Sequence, residues 1–186
     1  MFNYFFKNLN TLFLTCALAF ISIANAQEVR VIDNKGTIDT ILKQTIAERY
    51  DTNGEVEITN NELIIPFNVP GIIDSNHYES TTTSITIKKA GTYKVTYRVT
   101  AQITFGTSRS GTEYRLLEND VVVPGSYSAA YHRTLNPGID TASASRILVL
   151  AALDVLKVQG KRYAGNNNTT IKTVAQGSSF LVERIK

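Results

Sequence analysis

From Thr92 to Phe105 the chain alternates strictly. Tyr93, Val95, Tyr97, Val99, Ala101, Ile103 and Phe105 take every second position, with Thr92, Lys94, Thr96, Arg98, Thr100, Gln102 and Thr104 between them. A period of two puts successive side chains on opposite sides of an extended backbone. The segment therefore predicts one long antiparallel strand with a buried face and a wet one. A helix would scatter the same tyrosines and valines around its whole circumference.

The segments around it read as shorter strands separated by turns. Leu63 to Phe67 is apolar on both faces, with Pro66 marking an edge or a strand end. Ser84 to Ile87 alternates and closes in Lys88-Lys89-Ala90-Gly91. Tyr114 to Leu117 and Val121 to Val123 flank Glu118-Asn119-Asp120, the pattern of a hairpin. Ile147 to Leu153 is continuously apolar and predicts a strand buried on both faces, followed by Val155, Leu156 and Val158. Ile171 and Val174 mark a further strand, and Phe180 to Ile185 the last. About ten such strands with regular turns define an all-β class, an antiparallel sandwich or barrel. Thr134 to Ala144 and Gly165 to Thr169 read as surface loops, and Gly106 to Gly111 as a polar hairpin turn.

The rhythm differs near the N-terminus. Ile38, Ile41, Leu42 and Ile46 share one helical face, so Thr37 to Tyr50 predicts a short helix ending in Asp51-Thr52-Asn53-Gly54. Its apolar stripe is narrow and needs a partner surface. Residues 27–61 are accordingly read as a helical neck or adaptor, ahead of a domain over 62–186. The first 26 residues read as a signal helix. Lys7 precedes the apolar run Leu12 to Leu14 and Ala17 to Ile21, which ends in Ala24-Asn25-Ala26, the order of a cleaved secretory signal peptide. The apolar core is too short to span a bilayer. No membrane span is expected after cleavage, and the expected location is the cell surface or the medium. Cys16, the alternative anchor point, lacks the small residues expected just before a lipidated cysteine.

Composition narrows the classes further. The single cysteine, Cys16, leaves with the signal, which removes disulfides and cysteine metal sites from the mature chain. The formal charge of +3 is small, and the longest basic runs are the pairs Lys88-Lys89 and Lys161-Arg162. Phosphate backbones are held by clusters of cations, so no nucleic-acid partner is expected.

Four segments carry a resemblance. Ile85 to Tyr97 resembles the opening of the globular heads related to complement subcomponent q, which share the tumour necrosis factor jelly roll. Tyr114 to Ser126 looks most like the bacterial branch, which includes the C-terminal heads of collagen-like spore-surface glycoproteins. Ile147 to Val158 is similar to the family's strand, acidic turn, strand element, and Gly177 to Ile185 to its closing strand. The resemblance spans roughly Asn61 to Lys186 and keeps the family order. Two features depart from it: Ala152-Leu153 stands where a glycine usually precedes the aspartate, and no Gly-x-y stalk precedes the head. The resemblance implies a ten-stranded jelly roll that packs as a homotrimer. On that reading Tyr93, Tyr97, Ile147, Val149, Phe180 and Val182 are candidates for the core or the trimer interface.

Chemistry is sparse. His77 and His132 have no companion motif, and no Gly-x-Ser-x-Gly elbow is present. Glu118, Asn119, Asp120, Asp140 and Asp154 offer oxygens for calcium but lack the spacing of a dedicated loop. No metal and no cofactor is expected. Tyr127, Tyr131 and His132 form a candidate binding platform, the two tyrosines four apart and on one face of a strand. The leading expectation is a secreted, non-catalytic adhesive or ligand-binding head that recognises an extracellular protein or glycan. A monomeric carbohydrate-binding module is the alternative, and a polysaccharide-cleaving enzyme comes third.

Overall fold

The computed structural model describes residues 29–32, 38–41, 45–106, 108–133, 138–165 and 169–186. The signal segment 1–26 lies outside them. The chain forms two compact units, Met1–Lys43 and Gln44–Lys186. Of the first, the described part is an antiparallel pair, β1 (Val29–Ile32) with β2 (Ile38–Ile41), in which Val29 faces Ile41.

The second unit carries thirteen strands among the described residues, in two antiparallel sheets. They begin with β3 (Thr45–Asp51), β4 (Leu63–Ile64), β5 (Val69–Ile73), β6 (Tyr78–Ser80), β7 (Ile85–Ile87) and β8 (Gly91–Phe105). Then come β9 (Ser110–Glu118), β10 (Val121–Val122), β11 (Ser128–His132) and β12 (Asp140–Leu150). The last are β13 (Val155–Gly165), β14 (Thr170–Thr173) and β15 (Ser178–Arg184). One sheet has six strands in the order β12-β8-β15-β3-β5, with β14 also on β8. The other has seven, in the order β10-β9-β13-β7-β6, with β11 on β9 and β4 on β13.

Strand β8 organises the six-stranded sheet. Tyr93, Val95, Tyr97, Val99 and Ala101 are buried, as its alternation predicts, while Ile103 is half-buried and Phe105 exposed. Opposite it Phe180 and Val182 of β15 point the same way into the core. Phe180 meets Phe67 at 5.6 Å between ring centroids, and Tyr78 meets Tyr93 edge to face at 6.0 Å. The polar tip of Tyr97 is satisfied inside, whereas the buried Tyr114 hydroxyl has no hydrogen-bond partner among the described residues. The Tyr97 hydroxyl reaches the carbonyls of Tyr114 (2.9 Å) and Ser126 (2.6 Å), tying the two sheets together. A buried hydroxyl left without such acceptors would cost about 1–3 kcal/mol.

Where a helix was expected over Thr37 to Tyr50, the described residues are strands β2 and β3. β3 pairs with β15 and β5 inside the jelly roll, so this compact unit starts at Gln44, ahead of the expected boundary. The misreading has a physical cause. The inward positions of β3 are Thr45, Ala47, Arg49 and Asp51, and the apolar Ile46 and aromatic Tyr50 face outward. Hydrogen bonds make this inverted pattern stable. Thr45 Oγ1 lies 3.1 Å from Tyr78 Oη, and Arg49 donates to Phe67 O (2.9 Å) and to Ser80 Oγ (3.0 Å). Asp51 accepts from the amides of Asn53 and Gly54 in the turn that follows.

The hairpin at Asn119-Asp120 is a two-residue turn with both φ angles positive, 51° and 65°. That is what a type I′ hairpin requires, and Asn and Asp tolerate it. Across from it the β12–β13 turn also needs a left-handed residue, and Leu153 supplies it at φ 77°. The leucine that replaces the expected glycine thus keeps glycine's backbone conformation. It is held by Leu153 N–H to Ile87 O (2.7 Å) and by Asp154 Oδ2 accepting from Ala151 N–H (2.6 Å). Its side chain is exposed. Left-handed backbone costs a branched residue roughly 1–2 kcal/mol, part of which glycine loses again to unfolded-state entropy. Leu153→Gly is therefore expected to stabilise the protein by about 0.5–1 kcal/mol, read as a higher urea midpoint. A lower midpoint would mean that the leucine side chain contributes packing.

Candidate functional site

The seven-stranded sheet presents the tyrosines. In β11 alternate residues face alternate sides: Ala130 and His132 are buried, whereas Ala129 and Tyr131 are exposed. Tyr127, just ahead of the strand, is 58% exposed and Tyr131 45%. His132 does not join them. It is fully buried, because adjacent residues of a strand point to opposite faces.

A third tyrosine, Tyr163 of β13, is 47% exposed on this same sheet. Between β11 and β13 lies β9, and Tyr131 pairs there with Gly111, whose other neighbour is Ala164. The Tyr163 ring rests against Gly111: a methyl group on that glycine would come within 2.5 Å of Tyr163 Cζ. Only a bare backbone leaves room for the ring. Next along β9, Glu113 sits between Ala129 and Lys161. The Arg115 guanidinium contacts Glu113 (3.4 Å) and Glu62 (2.8 Å), and Lys161 lies 3.4 Å from each of these carboxylates. The Tyr127 hydroxyl titrates above its ordinary value, first through desolvation and next through the Glu113 carboxylate, with Tyr163 also in range. Sequence reasoning missed Tyr163 because it is the extra residue at a break in the strand register between Arg162 and Ala164, which blurs the alternation.

Inside this end of the sandwich His132 Nε2 is 2.9 Å from Thr112 Oγ1, and its Nδ1 is 3.0 Å from Gly138 O. The carbonyl can only accept, so Nδ1 carries the proton and Nε2 accepts from the threonine. A hydroxyl beside an imidazole is the start of a nucleophile–base pair. Here both partners are buried, and a backbone carbonyl stands where an orienting acid would be. The pair reads as core.

The other candidates separate into two groups. Tyr93, Tyr97, Phe180 and Val182 are core residues of the six-stranded sheet. Ile147 and Val149 face the opposite way, 64% and 83% exposed. The expectation that Ile147 to Leu153 is buried on both faces is not met among the described residues, because the outer face of the six-stranded sheet has no layer packed over Ile147 and Val149.

The acidic candidates pair locally. His77 Nδ1 is 3.1 Å from Asp74, Lys157 is 2.7 Å from Asp120, and Asp140 accepts from the Tyr131 amide at 2.9 Å. Asn119 bridges the two turns, donating to Asp154 Oδ1 (2.8 Å) and accepting from Val155 N–H (2.9 Å). Burial and the nearby Asp154 raise the pKa of Glu118. Among the described residues no three His, Cys, Asp or Glu side chains converge as metal ligands, and no helix is long and apolar enough to cross a membrane. Residues 134–137 and 166–168, within the two expected surface loops, lie outside the described residues.

Two antiparallel sheets in this strand order, joined through a common core, define an antiparallel jelly-roll sandwich. Among solved structures the chain is similar to murine APRIL, with a TM-score of 0.52 at 10% identity, over 77% of this chain and all of that one. It is also similar to the Eiger tumour necrosis factor of S. frugiperda, with a TM-score of 0.52 at 15% identity, over 78% of this chain and 94% of the other. No protein-family model matches the sequence, and no curated protein does.

Burial holds the pKa of His132 below its ordinary 6.5, against opposing contributions from Gly138 and Asp140. Below that ordinary value the unfolded chain binds a proton that the folded chain refuses. Stability therefore falls as the pH drops through about 6.5 and levels off below the folded-state value. His77 is also lowered, by burial first and then Lys89, so the parent must be compared with a variant. Urea midpoints are expected to decrease from about pH 7.5 to 5.5 in the parent, and clearly less in His132→Gln. An equal decrease in both proteins would show that His132 is not the titrating group.

Proposed function

We propose that the protein is an exported, non-catalytic binding head that assembles as a homotrimer through the outer face of its six-stranded sheet. The observation that carries this reading is the exposure of Ile147 and Val149 side by side on β12. Leu181 and Ile46 lie on the same outer face, and the Lys94–Glu183 pair (3.4 Å) sits in the row of Ile147. Two adjacent exposed aliphatic side chains at a sheet edge, separated from further apolar residues by an ion pair, form a self-association surface when a second copy covers them. The jelly-roll fold supports the same arrangement, and the signal-like N-terminus supports export to the surface or the medium. The likeness of Tyr114 to Ser126 to bacterial spore-surface heads fits a surface role. On this reading the segment ahead of Gln44 is an adaptor, and the seven-stranded sheet stays free for a ligand.

Light scattering on a sizing column tests it. The expected mass is three times that of one chain, and Ile147→Lys with Val149→Lys is expected to give a folded monomer. A monomeric parent, or a trimer indifferent to both lysines, would sink this assembly.

A further inference from the structure

The outer face of the seven-stranded sheet has features that packing does not require. Three tyrosines stand on it, each about half exposed, from β11, its preceding turn and β13. An aromatic side chain kept at a folded surface leaves a flat apolar face in water that burial would remove. The outer end of the Tyr163 ring lies against Gly111, and about half of the residue is open to solvent. Tyr131 is the β11 partner of that same glycine, so the two rings flank one bare stretch of β9. Tyr127 is four residues from Tyr131, about 13 Å along an extended chain, and lies within electrostatic reach of Tyr163.

The polar groups between the rings set the ligand's charge. Arg115 and Lys161 are each shared between Glu113 and Glu62, two cations against two carboxylates. Such a network offers donors and acceptors held in place, with no net charge to attract an anion. Flat apolar rings, fixed hydrogen-bonding groups and local neutrality suit a chain of pyranose rings, whose C–H faces stack and whose hydroxyls both donate and accept. A polyanion would find Arg115 and Lys161 already paired with Glu62 and Glu113. A proline-rich peptide would use the rings but leave the ion network unused.

We propose that Tyr127, Tyr131 and Tyr163, with Glu113 and Arg115, form a binding site for a neutral oligosaccharide across β11, β9 and β13. The site deepens the binding-head reading and rests on it, but lies on the sheet opposite the proposed trimer face. The two ideas can therefore fail separately.

The test is calorimetric titration of the purified full-length protein with cello-, chito- and manno-oligosaccharides, alongside heparin as a polyanion and a proline-rich peptide. Tyrosine emission gives a second readout, since the chain has nine tyrosines and no tryptophan. At least one neutral oligosaccharide is expected to bind with little salt dependence. Tyr131→Ala and Tyr163→Ala are each expected to weaken binding about tenfold or more, and Tyr163→Phe to retain it. Both tyrosines are surface residues, so urea midpoints and sizing mass should stay at parental values. Three results would overturn the site: no neutral oligosaccharide binding at millimolar concentration, binding unaffected by both alanine variants, or binding of heparin or the peptide alone. A parental trimer mass alongside any of these would sink the glycan site and leave the assembly standing.

Discussion

The hydroxyl of Tyr97 reaches one carbonyl of the opposite sheet and one of the turn beside it, and the sandwich depends on that kind of contact. Tyr97 sits at the middle of β8, whose alternation sends five side chains into the core. A large aromatic there excludes water, and its polar tip must then find partners. It finds Tyr114 O in β9 and Ser126 O in the turn before β11. Ser126 is itself buried, accepts from Leu116 N–H and donates to Val123 O. One cross-sheet contact thus fixes the spacing of the sheets and the course of the chain from β10 to β11. The exposed tyrosines of the outer face are carried by the strands so positioned.

The parts of the fold legible in the sequence were those in which apolar residues occupy the inward positions. β8 and β15 announce themselves by alternation, and the β9–β10 hairpin by an Asn-Asp pair suited to positive φ. β3 was not legible. Its inward side carries Thr45, Arg49 and Asp51, whose burial is compensated by partners far away in sequence, including Phe67, Tyr78 and Ser80. No local pattern reveals a hydrogen bond made 18 or 33 residues away. Tertiary pairing with β15 and β5 then overrides a weak helical spacing.

The candidate site divides in the same way. That Tyr131 faces out follows from the strand period, and the same period should have excluded His132 from the platform. Tyr163 and Gly111 depend on a register break and on a close approach between strands, which only the paired backbone reveals. β12 illustrates a different limit. A continuous apolar run reads as doubly buried, yet in a two-layer sandwich every strand has an outward face, and that of β12 carries Ile147 and Val149 exposed.

The two sheets consequently carry different surfaces, and the difference is chemical. Ile147 and Val149 offer aliphatic area with no hydrogen-bonding capacity, a surface best matched by an equally apolar partner and disfavoured in water. Tyrosine is amphipathic, tolerates solvent, and gains from a ligand that presents both C–H and O–H groups. The surrounding ion pairs leave Arg115 and Lys161 partly exposed to water beside the rings. A sandwich with one aliphatic edge and one polar aromatic face can assemble on the first without consuming the second. In an assembly of several copies, each chain would then contribute its own tyrosine face, and modest affinity at one site would be multiplied by their linkage.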